Sequence, residues 1–263
     1  MTTCVVTTSL KADPASAREA TEWAARLGVR AVARSLRSIQ KLCREEGVDG
    51  ALVLSPERPP TFMPADGGMR YYYHPGMALT RIRNLRKGLG DPMVTAMRLQ
   101  PGDAVLDCTL GRASDALVAS FVVGPAGRVV GIESSPLLAE LTLHGLRTYE
   151  PASEALGPVF RRIEVHRGDH LTLLRDTADR GFDVVCFDPL FEEPVEASSG
   201  MEPFRPLADT QPLRPEAVTD ARRVARRCVV IKERSDAGLW ERLQVNRMVA
   251  GKASSIAYGV IDL

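Results

Sequence analysis

Three acidic residues and one glycine are spaced along this chain in an arrangement that suits nucleoside binding. Asp107 and Asp115 enclose a turn that contains Gly111, and Glu133 follows further along the chain. A glycine lets the backbone approach a ligand closely, and a carboxylate such as that of Glu133 can accept hydrogen bonds from both hydroxyls of a ribose. The set therefore predicts a site for the sugar of a nucleoside.

The elements predicted around these residues form a β-α-β unit. A short apolar strand over 103–106 precedes the turn, a buried helix over 116–121 follows it, and a second strand over 128–132 ends on Glu133. In a doubly wound sheet, the free amides at such a helix N-terminus and the acid after the second strand face one ligand. A core β-α-β unit with an incidental glycine is the alternative that this motif alone leaves open.

The charges of the turn favour a cationic ligand over a dinucleotide. A dinucleotide site needs the pattern G-x-G-x-x-G so that the backbone can approach a pyrophosphate, whereas Gly111 is the only glycine in this turn. Asp107 and Asp115 would repel a pyrophosphate but suit an ammonium or a sulfonium group. S-adenosylmethionine carries both groups and a ribose, so we expect it to be the cofactor.

A second motif follows the apolar strand predicted over 181–187. This strand ends in Asp188-Pro189-Leu190-Phe191. The Asp188 carboxylate can accept hydrogen bonds from an amino group and so aim the nitrogen lone pair at a methyl donor, while Pro189 restricts the residue before it. Phe191 offers a stacking face for a base. We expect these residues to catalyse methylation of an exocyclic amine, the alternative being an Asp-Pro turn that only ends a strand.

Together these motifs resemble the small-subunit ribosomal RNA guanine-N2 methyltransferase family (the RsmJ type), and most closely its YpiP-like bacterial branch. The resemblance runs from about His74 to Lys232, and the first 60 or so residues show no clear match. It implies an S-adenosylmethionine-dependent enzyme that methylates guanine N2 of small-subunit rRNA. It rests on segments that carry the family's polar residues: 107–115, Glu133, 169–172, 188–191 and 229–232.

The expected cofactor-binding residues share a place near the carboxyl ends of the predicted strands. Asp169 follows the third strand, where its carboxylate would accept from the adenine amino group. Two residues depart from the family pattern, since Ala113 and Ser114 stand where the family has a glycine and an arginine. The full cofactor set is Asp107, Thr109, Gly111, Ser114, Asp115, Glu133, Ser134, Asp169, His170 and Asp188.

A basic and aromatic segment over 70–87, within the linker predicted over 70–99, is the expected RNA-binding region. Arginines that contact phosphates and tyrosines that stack on bases would suit RNA, although a solvated helix face with core tyrosines is an equal alternative. Lys232 is expected at the tip of the fifth strand. The expected substrate-binding residues are Tyr73, His74, Arg81, Arg83 and Lys232.

The whole chain is predicted to be an α/β protein in three parts. Residues 1–69 form a small N-terminal α/β domain, 70–99 a linker with helices, and 100–263 a doubly wound, Rossmann-like, seven-stranded methyltransferase domain. The N-terminal part is predicted as strands 4–8, 31–33 and 50–54, a helix over 14–27 and a helix from a Ser35 cap to Glu46. The later strands are predicted at 160–166, 228–231, 245–250 and 256–262.

Composition limits the class of protein. The net charge is +1, and no apolar run reaches the ~18 residues that a membrane span needs. No basic segment precedes an apolar core at the N-terminus, so no signal peptide is expected. Five scattered cysteines without a Cys-x-x-Cys pair argue against a metal site and favour a reducing cytoplasm. The oligomeric state stays open.

Two other functions also stay open. The substrate is alternatively a small amine or a protein amide, which the basic and aromatic segment disfavours weakly. The altered turn at Ala113 and Ser114 fits a third possibility, an RNA-associated module that binds S-adenosylmethionine without catalysis. The Asp188 motif argues against the last of these.

Overall fold

The computed structural model describes residues 2–190, 206–251 and 255–263, which form two compact units. The first unit contains the described residues up to His74, together with Ser135–Leu141 and 206–209. The second contains Pro75–Ser134 and the remaining described residues. The boundaries expected at residues 69 and 99 stay a prediction.

The first unit is a small α/β layer. Its strands are β1 (Cys4–Thr8), β2 (Gly50–Ser55), β3 (Arg58–Pro64) and β4 (Tyr71–Tyr72), hydrogen-bonded in that order, and its helices are α1 (Pro14–Leu27) and α2 (Ile39–Glu46). Strands β1 and β2 are parallel, while β3 is antiparallel to both β2 and β4. Helix α1 begins at the Asp13 cap and ends at Gly28, whose φ of 70° suits a glycine.

Two predictions for this unit were wrong in detail. The cap of α2 is Ser38 and not Ser35, because Ser35 and Leu36 have φ values of 46° and 60°, which no right-handed helix contains. Residues 31–33 do not form a strand. Ala31 makes a single bridge to Val6 in place of a ladder.

The second unit is built on a sheet that has seven strands within the described residues. They are β5 (Ala104–Asp107), β6 (Arg128–Glu133), β7 (Ile163–Arg167), β8 (Phe182–Phe187), β9 (Ala225–Arg234), β10 (Arg247–Ala250) and β11 (Ile256–Asp262), in the order β10-β11-β9-β8-β5-β6-β7. The central strands β5 to β9 are parallel, and β11 is antiparallel to β9 and β10. This topology confirms the predicted doubly wound sheet.

Helices cover both faces of this sheet, as its continuous apolar strands require. One face carries Leu106, Val185 and Val229, which pack in one core with residues of the helices His170–Asp176 and Pro215–Val224. Buried residues that alternate with these, such as Val105 and Val184, lie on the opposite face. The α-helices that follow β4 in the chain are α3 (Ala78–Arg86), α4 (Pro92–Met97), α5 (Ser114–Val123), α6 (Pro136–Thr148), α7 (Gly157–Arg161), α8 (His170–Asp176), α9 (Pro215–Val224) and α10 (Leu239–Arg242).

Several element boundaries in this unit differ from the sequence prediction: β9 begins at Ala225 and not at 228, β10 begins at Arg247 and not at 245, and the ends of β5 and α5 are shifted by one or two residues. The third strand begins at Ile163 and not at 160, because Pro158 lies in the first turn of α7, where proline is favoured. Strand β9 continues to Arg234, so that Lys232 lies inside the strand and not at its tip.

The order of the strands fixes where a ligand can bind. From β5 the sheet grows through β6 and β7 on one side and through β8 and β9 on the other, so the strand order reverses between β5 and β8. In open α/β sheets the ligand crevice lies beyond the carboxyl ends of the strands at this reversal. Among the helices described here, none is long and apolar enough to cross a membrane.

Candidate active site

The turn after β5 is tied to the tip of β6. The backbone N–H of Gly111 donates to Glu133 Oε2 at 2.9 Å, and the Thr142 hydroxyl donates to the Gly111 carbonyl at 2.7 Å. The turn itself is closed by the Thr109 N–H, which donates to Asp107 Oδ1 at 3.1 Å. The carboxylate of Glu133 is therefore fixed beside the turn, as the nucleoside site requires.

A glycine in β6 explains how the turn comes so close to the sheet. A Cβ atom at Gly131 would lie 2.3 Å from Leu110 Cδ1 and 2.8 Å from Leu110 Cδ2. The Leu110 side chain therefore occupies the space that any other residue at 131 would fill. The sequence analysis did not single out Gly131. Its one signal was a glycine inside an otherwise apolar strand.

Five charged side chains of alternating sign run through the second unit, and we call them the charged row. They are Asp91, Arg81, Asp115, Lys232 and Asp188. Arg81 donates to Asp91 from Nε at 2.8 Å and from Nη2 at 2.9 Å, and its Nη1 donates to Asp115. Lys232 Nζ lies 3.5 Å from Asp115 Oδ2 and 2.7 Å from Asp188 Oδ2. The row ends beside the reversal of the strand order.

The charged row changes the roles expected for Arg81 and Asp115. Arg81 was expected to contact RNA, but its side chain is only 19% exposed and is held by two carboxylates. Asp115 was expected to face the cofactor's positive charge, but Arg81 and Lys232 already neutralise it. Sequence reasoning missed these pairings because the partners lie far apart in the chain.

Burial and neighbouring charge separate the pKa values of the acids in this site. Burial, together with the charge of Asp115, raises the pKa of Asp107 to about 8. Burial also opposes ionisation of Asp115, but Lys232 and Arg81 outweigh it and lower its pKa to about 2. Burial raises the pKa of Asp188, an effect that Lys232 opposes. Asp107 is therefore largely protonated near neutral pH.

A small cavity lies among these groups. Its volume is about 10 Å³, enough for about one water molecule. Tyr258, which sequence reasoning also missed, lies directly across the β9–β11 ladder from Lys232, and burial raises its pKa. The cavity is lined by Met97, Asp107, Asp115, Cys186, Phe187, Asp188, Val230, Lys232 and Tyr258.

The predicted adenine-facing residues lie at the end of β7. Asp169 caps α8 by accepting from the Thr172 N–H at 3.3 Å, and its other oxygen is 3.4 Å from Arg214 Nη2. The His170 ring packs edge-on against Phe187 with centroids 5.6 Å apart. The contact with Phe187, the last residue of β8, places His170 near the end of that strand, and an adenine contact of Asp169 stays a prediction.

The structure locates the other predicted residues as follows. Ser114 begins α5, and its hydroxyl donates to the Pro75 carbonyl at 3.2 Å. Ser134 directly follows Glu133, and Pro189 is partly exposed after Asp188. Phe191 lies outside the described residues. Tyr73 is buried, whereas His74 and Arg83 are exposed.

S-adenosylmethionine fits this arrangement of side chains. A carboxylate has about four lone-pair sites, so the bond from Gly111 leaves Glu133 able to accept from ribose hydroxyls. The charged row holds three carboxylates against two cations, which favours a ligand with a positive charge. Both features face the carboxyl ends of β5, β6 and β8.

Comparisons with known proteins agree with this geometry. The model of the family described as "Putative SAM-dependent methyltransferase" matches residues 65–256. The chain is 35% identical to the protein YpiP of Bacillus subtilis (strain 168) over 98% of its own length and 99% of that protein's. It is 28% identical to ribosomal RNA small subunit methyltransferase J of Pseudomonas fluorescens (strain SBW25), over 72% of the chain and 73% of that protein.

A solved structure shows the same fold. It is a SAM-dependent methyltransferase from Neisseria gonorrhoeae, with a TM-score of 0.66 and 17% identity, and the match covers 98% of this chain and 95% of that one. The match to the family model spans more than half of the chain, which confirms the expected cofactor, S-adenosylmethionine. The chain therefore belongs to this family of SAM-dependent methyltransferases and is related to YpiP and to the RsmJ enzymes.

Proposed function

We propose that this methyltransferase modifies an exocyclic amine of RNA, and specifically guanine N2 of small-subunit rRNA. The observation that carries the proposal is the position of Asp188. It directly follows β8 at the reversal of the strand order, and it lines the same small cavity as Asp107, the last residue of β5. The name of the relatives from Pseudomonas fluorescens supports ribosomal RNA as the substrate.

The residues of this chain would orient the target nitrogen. Lys232 engages Oδ2 of Asp188, and the carboxylate keeps further acceptor sites for an amino group. Hydrogen bonds from that group to Asp188 would hold the nitrogen lone pair in line with the methyl group. When bound, S-adenosylmethionine supplies an electrophilic methyl group. Catalysis then depends on proximity and orientation, without a covalent intermediate on the enzyme.

The cysteines near the site do not offer a nucleophile. Burial raises the pKa of both Cys108 and Cys186 well above that of an ordinary thiol. A thiol attacks carbon as the thiolate, so both residues would be poor nucleophiles at neutral pH. This argues against methylation of a pyrimidine carbon through a cysteine adduct and for direct transfer to nitrogen.

A small amine is the second candidate substrate, and the position of Arg81 favours it. The basic residue at the centre of the expected RNA-binding segment is held by Asp91 and Asp115 inside the second unit. The exposed arginines and lysines that remain for RNA within residues 70–87 are Arg70, Arg83, Arg86 and Lys87. Fewer phosphate contacts would suffice if the substrate were a small molecule.

The test is a methyl-transfer assay on 30S subunits and on naked 16S rRNA from a strain that lacks the homologous enzyme. Labelled S-adenosylmethionine and mass spectrometry of the digested nucleosides identify the product. We expect N2-methylguanosine from the wild type. Asp188→Ala should lower the rate by about 10²-fold or more, because the amine loses its orienting acceptor.

A matched control separates this role from a general effect of losing an aspartate. Asp179→Ala removes an exposed carboxylate of the same unit and should leave the rate unchanged. Asp179→Ala should keep the melting temperature and the S-adenosylmethionine affinity of the wild type. Because Asp188→Ala removes the partner of Lys232, its rate is measured at saturating S-adenosylmethionine and at a temperature at which the variant is folded. Label on a ribose oxygen or on a base carbon would contradict the proposal, as would an Asp188→Ala rate equal to that of the control.

A further inference from the structure

The ammonium of Lys232, which the sequence predicts to bind substrate, is engaged by two carboxylates of the same unit. We propose that Lys232 is the positioning residue of Asp188: the contact with its ammonium fixes the orientation of that carboxylate. The inference rests on the proposed function in one respect only, which is the identity of the group that Asp188 orients. The contact itself is a property of this chain.

The geometry is that of a held side chain and not of a surface ion pair. Lys232 Nζ is 2.7 Å from Asp188 Oδ2, and its side chain is 21% exposed. Its backbone lies inside β9, with Tyr258 opposite it on β11. A lysine at the exposed tip of a strand would keep its rotamer freedom. Lys232 instead has its backbone within the sheet, and its side chain contacts Asp188.

The rest of the charged row prevents Lys232 from turning away. Its second partner, Asp115, is itself held by Arg81, and Arg81 makes two hydrogen bonds to Asp91. Asp91 in turn caps α4 by accepting from the N–H groups of Met93 and Val94. The position of Asp188 is thereby linked to a helix N-terminus through four successive contacts.

The charges around Asp188 show what the loss of Lys232 would do. The groups that act on it are Lys232 from β9, Asp115 from α5, Asp107 from β5, Arg81 from α3 and Tyr258 from β11. Without Lys232 its near neighbours are chiefly other acids, because Arg81 makes its hydrogen bonds to Asp91 and Asp115. Asp188 would then take up a proton more readily, and a protonated carboxyl is a poorer acceptor for an amine.

The experiment compares Lys232→Met and Lys232→Arg with the wild type. In Lys232→Met we expect kcat to fall by about 10²-fold, with the S-adenosylmethionine dissociation constant within about threefold of the wild type. Because Lys232 lowers the pKa of Asp188, the acid limb of the kcat–pH profile should move to higher pH in this variant. Lys232→Arg keeps the charge and should leave that limb in place.

A second readout needs no substrate. Selective ¹³C labelling of the aspartate carboxyls allows the Asp188 titration to be followed by NMR, with Asp188→Asn identifying the signal. The pH midpoint of the Asp188 titration should be higher in Lys232→Met than in the wild type. It should be unchanged in the control Lys41→Met, which replaces an exposed lysine of the first unit. Should Lys232→Met fail to fold, Lys232→Gln is measured in its place.

The outcomes distinguish this inference from the proposed function. An Asp188 midpoint that does not move in Lys232→Met overturns the positioning role, whatever the substrate proves to be. So does a Lys232→Met variant with the kcat and pH limb of the wild type. Failure of the wild type to methylate an RNA amine contradicts the proposed function alone, since the NMR titration still reports on Lys232.

Discussion

Asp107 combines an acidic side chain with surroundings that oppose its ionisation, and this has a consequence for stability. Its side chain is buried, and its pKa is raised to about 8, first by burial and then by the charge of Asp115. In the unfolded chain an aspartate titrates near pH 3.9. Between these two values the folded protein binds one more proton than the unfolded chain does.

We therefore expect the free energy of unfolding to fall as pH rises from about 4 to 8, and Asp107→Asn to remove this dependence. The stabilisation is fully present below the unfolded pKa and is lost as pH rises through the folded pKa, with a slope of about 1.4 kcal/mol per pH unit. Urea unfolding of the cofactor-free wild type and of Asp107→Asn at several pH values measures the difference. The exposed Asp179→Asn serves as the control.

If the difference in unfolding free energy between wild type and Asp107→Asn stayed constant from pH 4 to 8, Asp107 would have the same pKa in the folded and in the unfolded chain. The site would then carry one more negative charge at neutral pH. Its attraction for the sulfonium would be larger than the burial of Asp107 implies.

At the scale of the element, the contact between β6 and the turn after β5 sets the shape of the cofactor site. Gly131→Ala would place a Cβ against Leu110 and push the turn away from Glu133. We expect a loss of about 1–3 kcal/mol in unfolding free energy, typical of overpacking, and a weaker affinity for S-adenosylmethionine. Calorimetry and chemical denaturation measure the two effects.

Two further variants test the cause of that effect. Leu110→Ala in the Gly131→Ala background should restore affinity in part, because it makes room for the added methyl group. Gly157→Ala should be neutral, since a Cβ there meets no atom within 4 Å. Equal affinities of Gly131→Ala and wild type would mean that the turn adjusts without cost.

The elements of the sheet were largely predictable from the sequence, and their ends were less so. Apolar runs bounded by glycine and proline identified β5, β6 and β8, because a strand buried on both faces needs such a run. The start of α2 was missed because Ser35 and Ser38 are equally good caps by residue type. Only the left-handed backbone at Ser35 and Leu36 excludes the first of them.

At the scale of the whole molecule, the proposed RNA substrate implies a basic surface, and we propose that the exposed basic residues within 70–87 form it. Arg83, Arg86 and Lys87 are exposed at the end of α3, unlike Arg81. Replacing all three with alanine should weaken binding to rRNA fragments and lower the magnitude of the log–log salt slope by roughly 0.7–0.9 for each lost phosphate contact. Titrations at two salt concentrations measure this slope.

The control for that titration changes three exposed arginines elsewhere, namely Arg147, Arg222 and Arg242. This variant should bind RNA like the wild type, and both triple variants should bind S-adenosylmethionine normally. A salt slope that is the same in wild type and in the α3 variant would favour a small amine as substrate.

The candidate site was predictable only where residues share a sheet edge. Asp107 and Glu133 end, and Asp188 directly follows, strands that a parallel sheet brings together, so their order in the sequence was enough to group them. The pairing of Arg81 with Asp91 and Asp115 depends on how α3 packs, which no local pattern encodes. A basic residue beside tyrosines was therefore taken for an RNA contact, and the charged row was missed.

The charged row also has a consequence for how the protein acquires its activity during folding. Its contacts join residues that are 10, 34, 44 and 117 positions apart in the chain, on α3, α4, α5 and β9 and directly after β8. Contacts of such long range form only after the intervening loops have closed, at a cost in chain entropy. The β-α-β unit that contains Gly111 and Glu133, the proposed ribose site, is local and can form early. The contact between Lys232 and Asp188 can form only after β9 has docked. We therefore expect the proposed cofactor site to form earlier in folding than the proposed site for the amine.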